Sequence, residues 1–114
     1  MAKLREETAD DRKLRLEEMT RMESMSVGDL VAQQIAKFRV VRFFREPPLA
    51  CSMGDVYIVE VTNGGRTKGW QEPVDERTRS MYAHVDDAIK VALVRAISRM
   101  DTDDRLRQPE TAAS

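Results

Sequence analysis

VYIVEVTNGGRTKGW, residues 56–70, is the stretch that decides how this chain folds. Val56 to Thr62 is rich in β-branched and aromatic residues, the composition of a pleated, half-buried strand. Asn63-Gly64 follows, and both residues tolerate the positive φ of a type I′ turn, the strongest short-range signal for a β-hairpin. Arg66 to Trp70 reads as the returning strand. Upstream, Arg39 to Arg45 (RVVRFFR) has the same β-type composition. Glu46-Pro47-Pro48 ends it, because proline has no N–H for a ladder and restrains the residue before it. Leu49 to Asp55 is then a connecting loop.

Helical patterns flank these strands. Ser26 with Asp29 gives a start signal, and Val27, Leu30, Val31, Ile35 and Phe38 fall on one helical face, predicting a helix to about Lys37. From Val85, the set Ala88, Ile89, Ala92, Leu93, Ala96, Ile97 and Met100 keeps helical period. Asp86 and Asp87 favour its N-terminus, Arg95 and Arg99 its C-terminal half. Between hairpin and last helix, residues 71–80 hold Pro73 and several charges and read as a surface loop. Met81 to Val85 reads as a short strand or a lead-in to that helix.

Residues 1–25 lack glycine and proline and are dense in charged residues, leucine and methionine, which predicts a separate charged helix. Thr8 and Asp11 have the spacing of a capping box. Leu16, Met19, Met22 and Met25 recur every three residues, a stripe that drifts around a 3.6-residue helix and excludes a long coiled coil. Residues 101–114 are polar, contain Pro109, and are expected to form a flexible tail. The predicted fold is therefore α+β. A small antiparallel sheet of about three strands is backed by helices 26–37 and 85–100, and the core pattern lies wholly between Val27 and Met100. The order helix, strand, strand, strand, helix over about residues 26–100 resembles the double-stranded RNA-binding domain. That family places a lysine cluster at the start of its last helix, where this chain has His84-Val85-Asp86-Asp87, which would repel phosphates.

Composition narrows the function classes. Of the 114 residues 34% are charged, yet the formal net charge is −1, so any nucleic-acid role needs a local basic face. A single cysteine, the absence of an apolar leader after Met1 and the shortness of the apolar runs predict a cytoplasmic protein without membrane spans. Cys51 and His84 are the only residues of their kinds, too few soft ligands for a dedicated zinc site, and nothing in their spacing makes them a nucleophile–base pair. Asp101, Asp103 and Asp104 fail as a calcium loop, because Leu106 stands where glycine is needed and Ala112 where a bidentate glutamate is needed. Asn63-Gly64-Gly65 is explained by the hairpin and lacks the surroundings of a phosphate loop. The expectation is no enzyme, no metal and no cofactor.

Strand alternation then divides the surfaces. Val41 and Phe43 share one face of their strand, while Val40 and Phe44 flank Arg42 on the other. Tyr57, Val59 and Val61 likewise oppose Val56, Ile58 and Glu60. Helices on one side would leave Val40, Phe44, Val56, Ile58 and Trp70 needing a cover: the N-terminal helix, a second copy of the chain or a partner protein. The first functional expectation is thus a non-enzymatic protein-interaction or regulatory module that binds another protein or a second copy of itself, using Met19, Met22, Met25, Val40, Phe44, Ile58 and Trp70. The alternative is nucleic-acid binding through Arg39, Arg42, Arg45, Arg66 and Lys68. Across residues 37–70 six cations face three carboxylates. A small enzyme without a recognisable motif is the third reading.

Overall fold

In the computed structural model, which describes residues 5–46, 56–63, 69–74 and 85–107, the elements follow the order α1 (Ala9–Glu23), α2 (Val27–Ala36), β1 (Arg39–Glu46), β2 (Val56–Asn63), β3 (Trp70–Val74) and α3 (Val85–Arg107). The fold is a small α+β domain with a three-stranded antiparallel sheet in the order β1-β2-β3.

The first two helices start where a side chain can satisfy free backbone donors. Thr8 caps α1, accepting from the Asp11 N–H at 3.1 Å while Asp11 Oδ2 accepts from the Thr8 N–H at 3.0 Å, the reciprocal capping box. Ser26 caps α2 by accepting from the Asp29 N–H at 3.1 Å. At the other end of α2, the Phe38 N–H donates to Ile35 O at 2.9 Å with Phe38 at φ 61°, a left-handed termination that usually falls to glycine.

The core lies between the sheet and the helices. Val59, Val61 and Val74 from the sheet meet Leu30 of α2 and Ala88, Ala92, Leu93, Ala96, Ile97 and Met100 of α3. Met22 of α1 belongs to the same cluster at 2% exposure, with Met19 and Met25 packed against it. The core therefore extends upstream of Val27. The methionine stripe drifts because α1 rests on α3 instead of following a straight seam, and flexible thioethers fill that crossing. On α2 the expected apolar face is also only partly used. Leu30 is fully buried, but Ile35 is 62% and Phe38 87% exposed, and Gln34 takes the buried position one turn after Leu30.

Two boundaries differ from the sequence expectation for identifiable reasons. A two-residue turn at Asn63-Gly64 would place Arg66 opposite Val61, yet Trp70 is there, and Val74 lies opposite Tyr57. The connection is longer, and β3 occupies residues expected to be loop. This register puts Val74 and Glu72 beneath α3, and Pro73 is tolerated because β3 is an edge strand. The turn residues 64–68 themselves lie outside the described residues, as do Cys51, His84, Arg66, Lys68 and the tail beyond Arg107. The second difference is α3, which runs on to Arg107 through the stretch expected to be a tail. Its last turns are held by tertiary ion pairs described below.

Candidate functional site

One sheet face carries no described helix. Cross-strand partners share a face, so the pairs Val40–Thr62, Arg42–Glu60 and Phe44–Ile58 in β1–β2, continued by Gln71 and Pro73 in β3, make up this surface. Its centre is polar. Arg42 Nη1 donates to Glu60 Oε1 at 3.2 Å, Gln71 Nε2 donates to Glu60 Oε2 at 2.6 Å, and the Arg42 guanidinium stands 4.9 Å over the Phe44 ring. Around it Val40 is 45% exposed, Phe44 is half-buried, and Ile58 lies between Phe44 and Pro73 in register at 8% exposure. Ile58 nonetheless stands apart from the core cluster, because it points away from the helices. The N-terminal helix does not cover this face; it packs on α3.

Trp70 is not part of this surface. Paired with Val61, it points to the helix side, where Arg99 sits 5.9 Å from its ring. Met22 is likewise enclosed by the domain itself, so neither residue adjoins Val40 and Phe44.

The basic strand positions divide in a similar way. Arg39 lies on the helix side, where its side chain is 6% exposed. It donates to Gln34 Oε1 at 2.8 Å, Asp101 Oδ1 at 2.6 Å and Asp104 Oδ2 at 2.7 Å. This fork ties α2, β1 and the last turns of α3 together, a geometry that a planar five-donor group suits and a lysine would not. Arg39 is thereby committed internally, and Arg42 pairs with Glu60; Arg45 is exposed on β1. At the first turn of α3, Asp86 and Asp87 are exposed.

A second feature was not anticipated from the sequence. A cleft of about 590 Å³ lies between α1, α3 and the β3 edge, lined by Glu7, Arg15, Met19, Trp70, Arg95, Ser98, Arg99, Thr102, Asp103 and Leu106. Most of its charges are matched. Arg15 donates to both oxygens of Glu7, at 3.1 and 3.3 Å, and this holds the Glu7 carboxyl below its ordinary pKa. Arg99 Nη1 approaches the buried Glu72 carboxylate at 2.5 Å, and Arg107 Nε donates to Asp103 at 2.9 Å. Arg95 has no acceptor among the described residues and stands where this cleft meets a neighbouring one lined by Glu23, Asp87 and Lys90. The Thr102 hydroxyl is buried without a hydrogen-bond partner.

A charge cluster around Asp11 joins the start of α1 to the last turns of α3. Arg5 donates bidentately to Asp11 at 2.6 and 3.1 Å, and Arg105 donates to Glu18 Oε2 at 3.1 Å. The Arg5 guanidinium first, and then the Thr8 N–H, hold the Asp11 carboxyl far below the usual carboxylate range. Among the described residues no group of His, Cys, Asp and Glu side chains is arranged to hold a metal, and no helix is long and apolar enough to cross a membrane. Comparison with protein-family models, curated proteins and solved structures finds no match to this chain.

Part of this geometry was accessible from residue patterns. Alternation assigned Val40, Arg42 and Phe44 to one face correctly. The Arg39 network was missed, although its signal exists: an arginine in phase with Val41 and Phe43, and two aspartates continuing the phase of the last helix.

Proposed function

We propose that this chain is a non-enzymatic protein-interaction module, that the helix-free sheet face is its docking surface, and that the occupant is a second copy of the same chain. The observation that carries the reading is the exposed Val40 and half-buried Phe44 beside the Arg42–Glu60 pair, on a face with no described helix over it. Leaving a large apolar side chain in water forgoes about 1.5–3 kcal/mol of burial, which is sizeable beside the stability of a small domain. The face is also complementary to itself. It presents one cation and one anion side by side, so a two-fold axis between them brings Arg42 of each copy toward Glu60 of the other. A net charge of −1 adds little repulsion between copies.

Light scattering after size exclusion at micromolar concentration is expected to give twice the 13.0 kDa chain mass. Replacing Val40 and Phe44 with serine should return it to the single-chain mass while leaving the melting temperature of the isolated domain nearly unchanged. A single-chain mass for the unaltered protein at about 100 μM, a concentration at which any Kd below that value would show, overturns the reading. So does a dimer that survives both substitutions.

A further inference from the structure

The cleft under α1 is separate from the sheet face and has its own chemistry. Its volume of about 590 Å³ is in the range of small-molecule sites, which run from about 300 to 1,000 Å³. One side is apolar, formed by the partly exposed Trp70 ring with Met19 and Leu106. The other is a row of donors on α3. Arg95, Ser98 and Thr102 stand at i, i+3 and i+7, so they line up along one face of the helix.

One of these donors is orphaned and another is uncommitted within the domain. The Thr102 hydroxyl is buried with no hydrogen-bond partner, and buried polar groups are nearly always satisfied. The Arg95 guanidinium has no acceptor among the described residues, whereas Arg15 and Arg99 are already paired with Glu7 and Glu72. The cleft's own carboxylates are thus neutralised, and an uncommitted cation remains on the same helix face as an orphan hydroxyl, about two turns away. A cationic ligand would meet no free acid there, and a purely apolar one would leave Thr102 orphaned.

We propose that this cleft binds a small molecule carrying a single oxyanion, a carboxylate or a phosphate, on a flat apolar ring. The ring lies against Trp70 between Met19 and Leu106. The oxyanion takes a charge-assisted hydrogen bond from Arg95, and the Thr102 hydroxyl, buried in the structure, rotates toward the ligand to supply a second.

Trp70 is the only tryptophan of the chain and lines this cleft, so its fluorescence reports on binding there. The 114-residue chain is titrated with phenylacetate, phenyl phosphate, the neutral phenylethanol and ring-free acetate, and affinities are confirmed by calorimetry. At least one ring-bearing anion is expected to saturate the Trp70 signal and to bind about tenfold tighter than phenylethanol, the scale of one charge-assisted hydrogen bond. Whichever of the two anions is tighter identifies the headgroup. Arg95 is exposed, so Arg95→Gln should fold normally by circular dichroism and abolish the preference for anions over the alcohol. Thr102→Val, similar in shape, should weaken anion binding and leave phenylethanol unchanged. Equal affinity for anions and alcohol overturns the proposal, as does an unchanged preference in Arg95→Gln. The absence of saturation by either anion up to about 10 mM, beyond the weakest useful affinity, does the same.

Discussion

Phe38 holds a left-handed backbone at φ 61° with its ring 87% exposed, so it carries the strain of a side chain at a glycine position without packing in return. A non-glycine residue in this conformation costs about 1–2 kcal/mol, offset in part by the greater chain freedom that glycine restores to the unfolded state. Phe38→Gly is therefore expected to raise stability by about 0.5–1 kcal/mol in urea unfolding. A loss of stability would mean that the ring makes contacts its exposure does not reveal. Gly69 is the opposite case. A Cβ there would overlap the Val61 carbonyl and Thr62 Cα, backbone atoms that cannot swing aside. Gly69→Ala should destabilise by about 1–3 kcal/mol, as overpacking does elsewhere, and should shift the β2–β3 amide resonances most. Neither position was legible in the sequence. Phe38 read as the end of an apolar helical face, and the need for glycine at 69 appears only once Trp70 is placed opposite Val61.

Among the elements, α2, β1, β2 and the start of α3 fall where hydrophobic period and capping residues put them, because there local preference and tertiary packing agree. Where they disagree, packing decides. The β3 register follows the need to bury Val74 and Glu72 under α3 and overrides the Asn-Gly turn signal. The last turns of α3 are polar and have no apolar period of their own, but Arg39 and Arg105 hold them through Asp101, Asp104 and Glu18. The candidate surfaces follow the same division. The open sheet face was readable by alternation, whereas the cleft exists only because α1 lies along α3. That attachment predicts that Met22→Ala, far from being a neutral change on a detachable helix, costs about 2–5 kcal/mol in denaturant unfolding. The same helix should give the acid response a definite sign. The folded Asp11 pKa lies below its unfolded value, so its contribution is present above about pH 4 and is lost as pH falls through the range beneath it. Asp11→Asn should lower the melting temperature at neutral pH and flatten the acid limb of its profile; an acid limb as steep as that of the unaltered chain would assign it to other groups.

At the scale of the whole molecule, the described helices sit on one side of the sheet and the longest-range contacts converge on the last turns of α3. Arg39 finds its carboxylates 62 and 65 positions further along the chain, and the Arg5 N–H donates to Leu106 O. A chain emerging from its amino end completes α1, α2 and the first two strands before any of those acceptors exists. Until they arrive, the Arg39 guanidinium keeps its water, because burying it alone would be far less favourable than leaving that end of β1 open. Closing so long a loop adds little to the equilibrium, since each doubling of length costs only about 0.6 kcal/mol, but it delays the encounter. The final turns of the last helix thus supply the last partners of the fold, and full burial of the Arg39 side chain waits on Asp101 and Asp104.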